Sequence, residues 1–152
     1  MRRRERLMNY IKEAEEYLRS YSDLKDSIVN IKKELEFLEL ELTGAKAIDY
    51  SGMPGGGGAT LPDDRVVNLL FKKQVKEAAL ESTENTVVHI KNIFENLNEV
   101  ESKVLKAFYI EGLRGTALEE KFELCERQVY NLRQPAIRKF AKQLFGIKAI
   151  GE

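Results

Sequence analysis

From Leu7 to Leu42, apolar or aromatic side chains recur at alternating spacings of three and four. They are Leu7, Tyr10, Ala14, Tyr17, Tyr21, Leu24, Ile28, Ile31, Leu35, Leu38 and Leu42. An a/d seam sustained over about five heptads predicts one coiled-coil helix spanning about residues 5–42. At about 1.5 Å rise per residue, that helix is on the order of 55 Å long. Its stripe needs a partner helix, from this chain or another. The first half of the seam carries Tyr10, Tyr17 and Tyr21. Their hydroxyls need partners or water, so this half is expected to be looser and wetter than the aliphatic half. A tyrosine-lined binding surface is the alternative to a packing seam.

A second apolar series follows, through Val66, Val67, Leu70, Phe71, Val75, Ala78, Ala79, Val87, Ile90, Ile93, Phe94 and Leu97. Its spacing is less regular. Pro62, Asp63 and Asp64 supply helix-start chemistry, which predicts a helix over about residues 63–96. Ser82, Thr83, Asn85 and Thr86 form a polar patch that either bends or interrupts it. The two helices match in length, and an antiparallel hairpin follows. The connecting stretch, residues 43–62, contains "SGMPGGGG" at Ser51–Gly58. At about twenty residues it is too long for a tight turn, so it is either mobile or a contact element. A phosphate-binding loop is excluded. No lysine followed by Ser or Thr comes after the glycines, no strand precedes them, and Asp63 and Asp64 would repel phosphate.

From Asn98 the units shorten. "EVESKVLKAFYIEGL" reads as an amphipathic helix ended by Gly112. "GTALEEKF" reads as a short helix, with Thr116 as N-cap and Glu119 completing a capping box. "RQVYNLR" opens another. On a helix-turn-helix template the buried positions are Leu118, Phe122, Leu124, Val129 and Leu132, all apolar. Glu119 and Glu123 stand where such motifs often carry a small residue and a glycine. Pro135 either kinks the second helix or starts a new one. The expected architecture is all-α, with a long antiparallel helical hairpin or coiled coil over residues 1–97 and a helix-turn-helix module over residues 98–152.

Charge sharpens the picture only locally. Overall, 25 basic residues balance 25 acidic ones, so no global field draws nucleic acid. Residues 126–148, however, hold six basic residues against Glu126 alone, a net of +5. Arg127, Gln128, Tyr130, Asn131 and Gln134 occupy the expected recognition helix. Arginine, asparagine and glutamine suit base edges in the major groove. Arg133, Arg138, Lys139 and Lys142 suit phosphates. The basic start "MRRRER" opposes the helix dipole, so fraying is expected there. Cys125 is the sole cysteine and His89 the sole histidine. That excludes an intrachain disulfide and a cysteine metal cluster, and it leaves His89 as a helix-face residue. No cofactor is expected. No nucleophile–base pair or carboxylate cluster with ligand spacing stands out, so an enzyme is not expected. No apolar run reaches the roughly 18 residues of a membrane span, so a soluble cytoplasmic protein is expected.

The stretch "EVESKVLKAFYIEGLRGTALEEKFELCERQVYNLRQPAIRKF" resembles the region-4 helix-turn-helix of sigma factors. The whole layout, with "SGMPGGGG" between a helical N-terminal region and this module, resembles the RinA/ArpU-like regulators of phages and prophages in Gram-positive bacteria. That resemblance implies control of late phage genes through promoter DNA and RNA polymerase. A five-heptad seam on one helix and a ragged stripe on the next leave apolar surface over on the hairpin, so a homodimer joined through the N-terminal helices is expected. A structural subunit for phage assembly or DNA packaging, of the small-terminase kind, is the alternative.

Overall fold

The computed structural model describes the backbone of residues 2–50 and 62–150 and the side chains of residues 4–46 and 64–150. Every regular element among them is helical. These are α1 (Arg2–Arg19), α2 (Tyr21–Tyr50), α3 (Pro62–Asn96), α4 (Glu99–Leu105), α5 (Thr116–Phe122) and α6 (Glu126–Phe145). A π-turn at Lys106–Ile110 follows α4, and a 3₁₀ turn at Gly146–Ala149 follows α6. The all-α expectation holds. The single N-terminal helix becomes two assigned helices around Ser20, although backbone bonds from Ser20 to Glu16 and from Leu24 to Ser20 carry the ladder across. The helix also extends beyond Leu42 to Tyr50, into the stretch read as loop. The glycine run itself lies outside the described residues.

Contacts group the chain into two compact units, residues 1–24 with 86–152, and residues 25–85. The division read from periodicity, 1–97 and 98–152, cuts the chain elsewhere, because a heptad count cannot tell which partner each half of a stripe meets.

In the first unit, Ala14 and Leu18 of α1 and Ile90, Ile93 and Phe94 of α3 share one core with Leu105, Leu118, Val129, Ile137 and Phe140. The inward stripe of α1 is Ala14 and Leu18, not the expected Ala14 and Tyr17, and Tyr17 is more than a third exposed. Tyr10 and Tyr17 instead set their rings against Phe145, at centroid distances of 5.3 and 6.2 Å. Tyr10 and Tyr17 of the seam are therefore packed against α6. The π-turn after α4 carries three consecutive buried residues, Ala107, Phe108 and Tyr109, its wider turn drawing them onto a narrower arc than an α-helix would. Burial pushes the Tyr109 hydroxyl up to about 12, and the Glu15 carboxylate adds to this.

In the second unit, α2 and α3 form the antiparallel hairpin. Lys32 pairs with Glu84, Lys76 with Glu34 and Lys73 with Glu39, so the higher-numbered residue on one helix meets the lower on the other. Leu42, Ala45 and Leu69 are buried, with Leu38 and Val66 against them. The ragged stripe of α3 resolves into two faces. Val66, Leu69 and Leu80 turn toward α2, while Val67, Phe71 and Val75 stay exposed. Between Leu69 and Leu80, the half-buried seam positions of α3 are Lys73 and Lys76. A hydrogen bond and the opposite charge of Glu39 hold the Lys73 ammonium above its ordinary range, and Glu39 is correspondingly lowered.

Candidate nucleic-acid interface

Two short-range devices build the helix-turn-helix. Gly115 precedes α5 at φ 57, ψ −128, a conformation that an L side chain resists. It takes the N-cap place expected of Thr116, so the cap at α5 is a glycine turn and not a capping box. At the other end Glu123 closes α5 in the left-handed region, at φ 55. The turn thus adopts the geometry that glycine usually supplies, at a strain cost on the order of 1 kcal/mol.

Glu119, which stands where a small residue is common, has a use here. Its carboxylate accepts a hydrogen bond from the Glu126 backbone N–H at 3.1 Å. The preceding helix thereby supplies an acceptor to the first turn of α6, where orphan donors and the positive dipole end favour it. Gln128 Oε1 accepts from the Cys125 N–H at 3.2 Å, a second cap on the same helix start.

The burial expected of the template is met in part. Leu118 and Val129 are fully buried, Phe122 and Leu132 are half-buried, and Leu124 is exposed. Phe122, Leu124 and Leu132 line an open groove of about 400 Å³ together with Val100, Lys103 and Lys121. A helix as short as α5 covers only the side chains nearest its crossing with α6, so Leu124 and Leu132 are left at a groove.

α6 continues through Pro135 without interruption. The reading in which a new helix starts at Pro135 is thus corrected. The missing N–H leaves the Asn131 carbonyl without its intrahelical donor. Asn131 is exposed, so water can satisfy that carbonyl. Continuity matters for the site. Arg127, Asn131, Gln134, Arg138 and Lys142 are all exposed, and their spacings of four, three, four and four place them on one face. At about 1.5 Å per residue the stripe runs roughly 22 Å. Among the described residues, Arg127, Arg138 and Lys142 make no ion pair.

The other expected site residues sit differently. Tyr130 is half-buried, with its ring edge-on to Phe108 at 5.5 Å and its hydroxyl donating to Glu126 at 2.9 Å. That hydrogen bond to Glu126, together with burial, raises its pKa. Arg133 lays its guanidinium over the Phe108 ring at 4.3 Å, and its buried Nε has no hydrogen-bond partner. Both side chains are taken up in packing around Phe108. Lys139 reaches Glu101 at 3.3 Å, off the exposed stripe. The sequence reading missed Arg114, whose guanidinium stacks 3.6 Å from the centre of Phe108 and donates to the Phe108 and Leu113 carbonyls. No periodicity marks an arginine whose partner is a ring six residues earlier.

Among the described residues, no group of His, Cys, Asp or Glu could hold a metal ion, and no helix is long and apolar enough to cross a membrane. No known protein family, curated protein or solved structure matches the chain.

Proposed function

We propose that this protein is a sequence-specific regulator of transcription that binds double-stranded DNA as a homodimer in the cytoplasm. The exposed, unpaired stripe Arg127–Asn131–Gln134–Arg138–Lys142 on α6 carries this reading. Its N-terminal part offers side chains suited to guanine and adenine edges, on the second helix of a helix-turn-helix. Its C-terminal part offers cations for the sugar-phosphate backbone. Gln128 stands at the same helix start, and Arg133 and Lys139 flank the stripe as further cations. No catalytic step and no cofactor belong to this reading. The resemblance to RinA/ArpU-like regulators extends it to late genes of a phage or prophage, with RNA polymerase as a further partner.

A second reading, a phage assembly or DNA-packaging subunit, draws on the exposed Phe37, Leu40 and Phe71 of the hairpin, which fit self-association into a larger ring. Titration of matched and scrambled duplexes at several salt concentrations separates the two. Arg127→Ala or Asn131→Ala should cost about 1–3 kcal/mol on the specific duplex and relax base preference. Lys142→Ala should weaken all duplexes alike and lower the salt slope by about one ion. Identical behaviour of Arg127→Ala and Lys142→Ala on both duplexes would remove the recognition role of α6. An unaltered affinity in all three variants would favour the assembly reading.

A further inference from the structure

The outer face of the 25–85 hairpin has features that burial within one chain does not explain. Phe37 on α2 is 67% exposed and Phe71 on α3 is 65% exposed, with Val75 exposed beside them. With Leu38 these side chains floor an open groove of about 420 Å³ along the two helices. One wall is acidic, Glu34 and Glu41 of α2; the other is basic, Lys72 and Lys76 of α3. Glu34 and Lys76 pair with each other, whereas Glu41 and Lys72 make no ion pair among the described residues. Bare aromatic residues rimmed by charge mark an interaction site.

We infer that this groove is closed by the same groove of a second copy, turned about a two-fold axis parallel to α2 and α3. The inference rests on the homodimer of the proposed function and adds which surface closes it and in which orientation. The charge pattern selects the partner. A face that is acidic along one helix and basic along the other is its own complement when rotation lays α3 over the partner's α2. A two-fold axis perpendicular to the helices would set α2 against α2, and carboxylates against carboxylates. The register agrees. Lys73 meets Glu39 within the hairpin, so Lys72 lies level with Leu40, one residue's rise of about 1.5 Å from Glu41. Rotation about the parallel axis keeps that level, and each free Lys72 meets the free Glu41 of the other copy. Phe37 and Phe71 then lie at the centre of the seam, where desolvated aromatic residues carry most of an interface's energy. Every neighbouring pair of helices in the resulting four-helix assembly is antiparallel, as in compact bundles.

Sedimentation of the full chain across a concentration series, with far-ultraviolet circular dichroism on each variant, provides the test. Phe71→Glu should raise the dimer Kd about 100-fold while helicity is retained. Lys72→Glu and Glu41→Lys should each raise it about 3- to 10-fold, and the double variant should return it to within about threefold of the parent. If the parent chain is monomeric at about 100 μM, where contacts of this kind should already associate, both the homodimer and this seam are wrong. If it is dimeric but Phe71→Glu and the charge variants leave the Kd unchanged, the homodimer stands and this seam is wrong. If both single charge variants weaken the dimer and the double does not recover, the parallel axis is wrong. Should Phe71→Glu fail to fold, the charge variants decide alone.

Discussion

The two units are built from similar proportions of apolar and charged residues and reach different ends. The unit of residues 1–24 and 86–152 buries sixteen side chains in one core, with Phe140, Leu18 and Ile90 fully enclosed. Among its described residues, the unit of residues 25–85 buries three, and holds its helices at several points by ion pairs of half-exposed side chains. Exposed pairs of this kind contribute about 0–1 kcal/mol each. The first unit therefore encloses a core of its own, and α6 keeps an exposed polar face on it. Among its described residues, the second unit leaves Phe37 and Phe71 outside. Completeness of the core, more than helix content, separates the two; under the proposed function the first serves recognition and the second assembly.

Breaking the finished core should produce the largest effect. Phe140→Ala removes a fully buried ring that packs 5.8 Å from Phe94, and should cost about 3–5 kcal/mol in urea unfolding. Phe71→Ala at a concentration where the chain is monomeric should change stability by less than about 0.5 kcal/mol. Equal losses from the two would erase the distinction between the units.

A smaller effect should follow from the junction of the two helix-turn-helix helices. Glu119→Ala leaves the Glu126 N–H without its acceptor and should destabilise by about 1 kcal/mol, with DNA affinity falling as the start of α6 loosens. An unchanged melting curve would assign the turn to packing alone.

Alkaline pH should act on the finished unit. Tyr109 has a folded pKa of about 12, above the ordinary 10.0 of the unfolded chain. A raised pKa means that the folded state favours the protonated hydroxyl. That contribution is whole below pH 10 and is lost as pH rises toward 12. Tyr109→Phe should flatten the decline between these values in urea melts; an equally steep decline in the variant would exclude Tyr109 as its source.

The smallest effect belongs to the hairpin's ion pairs. Glu34→Gln should cost no more than about 1 kcal/mol, and added salt should shrink the difference.

The helices on both sides of this contrast were legible in the sequence; the contrast itself was not, and the reasons are physical. The long helices, the Pro62 start and the shared face of Arg127 and Asn131 follow from spacing alone, because i, i+3 and i+4 positions share a face whatever surrounds them; the continuation of that face to Lys142 depends on α6 running through Pro135. The destination of each stripe does not follow. Tyr10 and Tyr17 look like coiled-coil positions until Phe145, more than a hundred residues later, is found against them. The α3 series looked ragged because it superposes an inner stripe through Leu69 and an outer one through Phe71. The charge of Arg133 is visible in sequence, whereas the Phe108 ring beneath its guanidinium is not. Glu119 looked out of place because its partner is a backbone N–H seven residues away.

Selection from a pool of random duplexes at physiological salt, read by sequencing, tests the central claim most directly. The account predicts enrichment of one discrete site with two-fold related halves, about one helical turn or a whole number of turns apart. Arg127→Ala should blur a base position within each half. Recovery of no preferred sequence by the parent chain, or of a pool that Arg127→Ala leaves unaltered, would contradict the assignment of α6 as the reader of DNA sequence.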